Sequence, residues 1–215
     1  MTYGAYFFDF DLTLADSREG ITKCFRGVLS RHGFTDVTDD AIVSTVGHSM
    51  ADSFTLLTGE TDPVVIEGWR HEFRVFSERW MNTHTYLFPE TAGVLAQLRG
   101  KGAKLAVISQ KTHRRIALFF EANLPAGAVD LIVGGDDVKA GKPDPEGLLF
   151  AAKTLGVHSA RCLYCGDTVI DAEAARRAGM DFAAVLHGTT PAEAFAAYPV
   201  KRIMKTLDEI SEIDA

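Results

Sequence analysis

The sequence predicts an α/β protein: a doubly wound parallel sheet with a helical segment inserted near its start. Three observations carry this. From about residue 89 onward, short apolar runs of strand length alternate with helical patterns, the mark of repeated β-α units and of a parallel sheet covered on both faces. One further run, Tyr6-Phe7-Phe8, stands alone ahead of them and ends in Asp9-Phe10-Asp11. Between it and the next unit lie about seventy residues that read as helix throughout, too many for an ordinary connection.

Taken in order, residues 6–8 are an aromatic run that reads as a buried strand. Residues 18–31, 39–45, 51–58 and 63–82 read as four helices, punctuated by Gly33, Gly47 and Gly59. Residues 89–99 form a helix with Val94, Leu95 and Leu98 on one face, 105–109 a strand, 114–122 a helix and 131–134 a short strand. The helix over 145–155 opens on Pro145 and Glu146 and is closed by Gly156; after a strand at 161–166, the helix over 171–178 stops at Gly179, both with ordinary start and stop signals. A strand at 182–186, a helix at 191–197, a weak edge strand at 202–204 and a terminal helix at 207–213 complete the chain. The predicted division is an α/β core of residues 1–14 and 88–215, with a helical cap domain of residues 15–87 inserted into it.

At 215 residues and 47% hydrophobic, the chain can bury a sizeable core. A net charge of −7 without a basic cluster argues against a nucleic-acid partner. No apolar run approaches the ~20 residues that span a bilayer. Asp9 and Asp11 interrupt the apolar stretch near the N-terminus, so no signal peptide is expected and a cytoplasmic protein without a membrane partner is. Three cysteines do not make a disulfide framework. Cys162 and Cys165, three apart on a strand, point to opposite faces and read as small core residues, and Cys24 reads as helix packing. Gly135 and Gly141-Lys142 do not make a P-loop, because the glycine spacing is one too long and Pro143 stands where Ser or Thr would ligate magnesium.

Chemistry gathers at the strand ends, where ligands of a parallel sheet bind. Asp9 and Asp11 end the first strand. Ser109 ends the second long one. Lys142 precedes a helix start in Gly141-Lys142-Pro143-Asp144, and Asp167 and Asp171 follow the strand Cys162–Gly166. Each has an ordinary explanation taken singly: a turn aspartate, a capping serine, a solvated lysine, a helix-start acid. Together these explanations leave unaccounted why successive strand ends carry Asp/Asp, Ser, Lys and Asp/Asp.

On these residues the chain resembles the haloacid dehalogenase superfamily. Asp9-Phe10-Asp11-Leu12-Thr13 is similar to its first motif, Ser109 to its second, Lys142-Pro143 to its third and Gly166-Asp167-Thr168-Val169-Ile170-Asp171 to its fourth, in the expected order. The closest likeness is to the phosphoglycolate phosphatase-like branch, with Leu12 where that branch has Gly and Gln110 where Asn is common. The resemblance implies a Rossmann-like core with a helical cap inserted after the first motif. It implies a Mg²⁺-dependent phosphatase that hydrolyses a small phosphorylated metabolite through an aspartyl-phosphate. In that reading Asp9 is the nucleophile and Asp11 the general acid, then the base. Ser109 and Lys142 hold the phosphoryl oxygens. Asp9, the main-chain carbonyl of Asp11, and Asp167 ligate Mg²⁺, and Asp171 binds a metal-bound water or ligates directly. A phosphomutase, or a pyrophosphatase or nucleotidase of the same fold, is the alternative; a phosphate-binding module without turnover fits less well, since Asp11 stands in the general-acid position.

Substrate choice is expected in the helical segment. His48, just after Gly47 at a break between helices, is one candidate. Arg70 and Arg74, one turn apart and able to meet a substrate carboxylate, are the others. Against the arginines stand Glu67, Glu72 and Glu78, which suggest a solvated face of ion pairs.

Overall fold

The computed structural model describes residues 3–213. Along the chain these form β1 (Ala5–Phe8), β2 (Ala15–Asp16), α1 (Arg18–Arg31), α2 (Asp39–Ser44), α3 (Met50–Thr58), α4 (Pro63–Trp80), β3 (Tyr86–Leu87), α5 (Thr91–Gly100), β4 (Lys104–Ile108), α6 (His113–Asn123), β5 (Leu131–Val133), α7 (Glu146–Leu155), β6 (Cys162–Gly166), α8 (Val169–Ala178), β7 (Asp181–Val185) and β8 (Val200–Met204). The chain divides into two compact units. One is built from the stretch up to Ala15 and from Leu87 onward; the other is Asp16–Tyr86.

The first unit holds a six-stranded sheet in the order β5-β4-β1-β6-β7-β8, with every neighbouring pair parallel. β1 therefore lies in the interior of the sheet, in register with both β4 and β6: Phe8 stands beside Val107 on one side and Cys165 on the other. Its sequence fits that place. A strand with helices on both faces is apolar at every position, and all four residues of β1 are buried. Alternation sorts them into two layers. Tyr6 and Phe8 pack with Val94, Leu95 and Leu98 of α5 and with Ile116, Phe119 and Phe120 of α6. Ala5 and Phe7 pack with Leu148 and Ala151 of α7 and Ala172 and Ala175 of α8. The same alternation puts Cys162 in the second layer and Cys165 in the first, so the two thiols of the Cys-x-x-Cys spacing lie on opposite faces.

The second unit is helical, with a core of its own. Ile21, Cys24, Phe25, Val28 and Leu29 of α1 meet Ile42, Phe54, Trp69 and Phe73, and Phe25 lies edge-on to Phe54 and Phe73. Its helix starts are locally specified: Thr38, Ser49 and Asp62 each accept a backbone N–H of the first turn, and Pro63 follows the last of these, as capping preferences require. α3 ends at Gly59 in the left-handed conformation, φ 77°.

The short strands β2 and β3 were not expected from the sequence, and three of the expected elements differ. The helices expected at 191–197 and 207–213 are 3-10 turns, Ala192–Ala197 and Leu207–Glu212. In the second, Leu207 and Ile210 are the buried pair, and a spacing of three suits the three-residue turn. The helix expected from Asp171 begins at Val169, because Thr168 caps it. The Thr168 hydroxyl accepts from the Asp171 N–H, and the Asp171 carboxylate accepts from the Thr168 N–H, a reciprocal capping box.

Candidate active site

The loop that leaves β1 sets the geometry. The Asp9 N–H donates to the Cys165 carbonyl at 2.9 Å, which extends the β1–β6 ladder by one residue. The chain then turns tightly: the N–H groups of Leu14 and Ala15 both donate to the Phe10 carbonyl, and the Leu12 N–H to that of Ala15. The turn puts Leu12 at φ 57°, the one non-glycine residue with positive φ among the described residues. Its side chain is fully buried nonetheless. The requirement for a left-handed residue here gives a physical reason for glycine at this place in the related motif.

Asp9, Asp167 and Asp171 converge, with one carboxylate oxygen of each within 4.8 Å of the others, and all three are buried. Lys142 is buried among them. Its Nζ donates to Asp171 Oδ1 at 2.6 Å and to the Tyr164 hydroxyl at 3.0 Å, and lies 3.0 Å from Asp9 Oδ1 as an ion pair. Tyr164 OH donates to the same Asp171 Oδ1 at 2.8 Å. Asp171 Oδ2 accepts from the Thr168 N–H and hydroxyl. Both Asp171 oxygens are therefore engaged by hydrogen bonds, whereas buried Asp9 Oδ1 meets the Lys142 ammonium as its ion-pair partner. Asp167 accepts from the Thr13 hydroxyl at 3.1 Å.

The electrostatics follow from this crowding. Burial, only partly offset by Lys142 and reinforced by Asp171 and Asp11, raises the Asp9 carboxyl to about 6. Asp167 is raised well above the usual carboxylate range by burial and by the charges of Asp171 and Asp9. For Lys142, burial pulls downward, but Asp171 and Asp9 outweigh it and hold the ammonium protonated. A site with carboxylates pressed together this way favours a bound cation. A trio of hard oxygen donors suits Mg²⁺. Gly188 closes on the trio from the loop after β7: a Cβ there would meet Asp167 Oδ2 at 2.1 Å.

Ser109 stands directly after β4, buried, its N–H donating to the Val133 carbonyl. Lys142 does not stand at a strand end, as the sequence suggested, but late in the long loop between β5 and α7. Gln110 Nε2 donates to the Lys142 carbonyl at 3.0 Å and ties that loop to the β4–α6 loop. A Cβ at Gly141 would meet the Gln110 side chain at 2.3 Å.

Two residues were missed by sequence reasoning. Lys111 Nζ donates to Asp11 Oδ1 at 2.8 Å; the signal was a lysine two places after Ser109. Tyr164 carries its hydroxyl into the middle of the sheet, and a tyrosine inside a buried strand is itself a call for a polar partner. The specificity candidates lie in the helical unit. His48 is exposed between α2 and α3. Arg70 and Arg74 both bind Glu67, at 2.7 and 3.2 Å, the ion-paired arrangement that the neighbouring glutamates suggested.

Ligands of a parallel sheet bind beyond the carboxyl ends of its strands, and here interior strand ends present a buried carboxylate beside a lysine, a serine and a second acid–lysine pair. This chemistry is that of a phosphatase, a hydrolase of phosphoric monoesters. The chain belongs to the haloacid dehalogenase-like hydrolase family, whose model matches residues 6–185. It is 32% identical over 185 residues to a phosphoglycolate phosphatase of Aquifex aeolicus, an alignment covering 84% of each chain. It is 31% identical to an N-acetylmuramic acid 6-phosphate phosphatase of Pseudomonas putida, covering 87% of this chain and 85% of that one. The crystal structure of a haloacid dehalogenase-like hydrolase from Bacteroides fragilis superposes with a TM-score of 0.96 at 44% identity, over 97% of this chain and 100% of that one.

Proposed function

We propose that the protein hydrolyses a small phosphorylated metabolite through an aspartyl-phosphate on Asp9. The observation that carries this is Asp9: a buried carboxylate at the end of an interior strand, ion-paired to Lys142 at 3.0 Å and converging with the carboxylates of Asp167 and Asp171. Carboxylates crowded at a strand end with a buried ammonium are placed to bind an electrophile or a cation.

The residues divide the work as follows. Asp9 attacks phosphorus, and the P–O bond to the leaving alcohol breaks as the new one forms. Asp11 donates the proton that the leaving oxygen needs, then takes one from the water that hydrolyses the aspartyl-phosphate. Ser109 and Lys142 hold non-bridging oxygens. Asp171 and Tyr164 fix the Lys142 ammonium, and Thr13 fixes Asp167. Asp9, Asp167 and the Asp11 carbonyl would hold Mg²⁺, with Asp171 behind them; when bound, the ion neutralises charge that would otherwise repel the anionic substrate. Residues 15–87 are proposed as a cap that selects the substrate, with His48, Arg70 and Arg74 as its candidate contacts. The relatives named for phosphoglycolate and for N-acetylmuramic acid 6-phosphate support a small phosphorylated metabolite as substrate.

The test is a panel of phosphate monoesters assayed with Mg²⁺ and with EDTA. Hydrolysis that EDTA stops and Mg²⁺ restores is expected. Full activity of a metal-free preparation would overturn the mechanism.

A further inference from the structure

We propose that Lys111 is a specificity residue that reads a second anionic group on the substrate, close to the phosphoryl group; this rests on the phosphatase reading above. Lys111 follows Ser109 by two residues on the β4–α6 loop, and its side chain is 5% exposed. Its Nζ donates one hydrogen bond, to Asp11 Oδ1 at 2.8 Å, and lies 5.4 Å from the centre of the Phe10 ring. An ammonium has three donors. Two of them are left without an acceptor here, in a place where water has little access, and unmet donors on a charged group are costly.

Lys142 shows the contrast. Two carboxylates and the Tyr164 hydroxyl surround its ammonium, so its donors are shared between the acid cluster and the phosphoryl group. Lys111 has donors to offer a ligand. Its main chain is also fixed: the Gly135 N–H donates to the Lys111 carbonyl at 3.0 Å, and a Cβ at Gly135 would meet the Gln110 carbonyl oxygen at 2.5 Å, so the two loops touch backbone to backbone. The cation is thus presented from a rigid loop, beside the serine that meets the phosphoryl group.

Charge and distance then define the substrate. Asp9, Asp11, Asp167 and Asp171 face two ammonium groups, so a leaving group with its own negative charge is repelled unless a cation with free donors meets it. Asp11 meets the ester oxygen, and Lys111 lies 2.8 Å from Asp11. With ordinary hydrogen-bond lengths at each contact, the ester oxygen and the second anion lie within about 8 Å of each other. The chemical class is a phosphomonoester that carries a second anionic group a few bonds from the ester oxygen.

The experiment compares 2-phosphoglycolate with ethyl phosphate, which lacks the carboxylate, on the wild-type protein, Lys111→Met and Lys111→Arg in Mg²⁺. Wild type should prefer 2-phosphoglycolate in kcat/KM. Lys111→Met should lose on 2-phosphoglycolate about 10- to 100-fold more than on ethyl phosphate, the range of a charged hydrogen bond, chiefly through KM, and Lys111→Arg should keep the preference. Equal losses on both esters would show that the ammonium serves Asp11 alone and would overturn the proposal. So would equal wild-type kcat/KM for the two, a readout that stands even if Lys111→Met does not fold. If wild type turns over neither of these esters nor any other monoester of the panel, the phosphatase reading fails instead. The proposal is then decided by calorimetric binding of phosphonoacetate and ethylphosphonate to wild type: tighter binding of phosphonoacetate supports it and equal binding overturns it.

Discussion

Leu12 sets two forces against each other. Its backbone is left-handed, at φ 57°, which costs a β-carbon-bearing residue about 1–2 kcal/mol. Its side chain is fully buried, and deleting a buried leucine to alanine costs about 2–5 kcal/mol. Leu12→Gly and Leu12→Ala both remove the side chain, but only glycine relieves the strain. Against that relief stands the extra freedom of glycine in the unfolded chain, about 0.4–1 kcal/mol. Both variants should therefore be less stable than wild type. Leu12→Gly should nevertheless exceed Leu12→Ala by about 0.5–1 kcal/mol, the reverse of the usual order. Urea unfolding followed by circular dichroism, with unchanged slope, reads the difference; Trp69 and Trp80 both lie in the helical unit, so tryptophan emission would follow the wrong part of the molecule. An alanine variant as stable as the glycine one, or more so, would refute the reasoning.

Asp9→Asn should fold normally and lose turnover, since a neutral amide cannot attack phosphorus; near wild-type rates in a folded sample would remove Asp9 as the nucleophile. Asp11→Asn should slow an alkyl phosphate by about 10²–10⁴-fold and p-nitrophenyl phosphate much less, because that leaving group needs little protonation; equal losses argue against the acid role. Tyr164→Phe removes the hydroxyl between Lys142 and Asp171 and should cost about 1–3 kcal/mol in thermal or urea melts; an unchanged melt would show that Lys142 and Asp171 hold each other without it. His48→Ala should change the ranking of natural substrates more than the rate on p-nitrophenyl phosphate, and an unchanged ranking in a folded variant would move specificity elsewhere.

What could be read from the sequence followed from local rules. Tyr6-Phe7-Phe8 is apolar on consecutive positions, and only a strand covered on both faces uses such a run; the sheet puts it in the interior. Asp9 and Asp167 end strands that sit side by side, so reading strand ends was enough to bring them together. Lys142 was read as the property of a strand end because the loop that carries it has no periodicity to measure; its place depends on Gln110 and Gly141, a contact across 31 residues. Lys111 and Tyr164 were missed for a related reason. Each is ordinary in its own segment, and its meaning lies in a partner, Asp11 or Asp171, that pairing along the chain does not reveal. The 3-10 turns at Ala192–Ala197 and Leu207–Glu212 differ from α-helices in spanning three residues per hydrogen bond rather than four, and a six-residue segment is too short for its pattern to separate the two.

The chain leaves the α/β unit through β2 and re-enters it through β3, and these two short strands are hydrogen-bonded neighbours. Neighbouring strands lie about 4.8 Å apart, a gap that a two-residue turn can close. In genetic terms residues 16–86 are a cassette: an exchange of this segment has one pair of adjacent ends to join and leaves the order of the six main strands as it was. The sheet and the cassette carry separate hydrophobic cores, so substitutions that repack one need no compensation in the other. The acid cluster itself follows β1 and β6, outside the cassette.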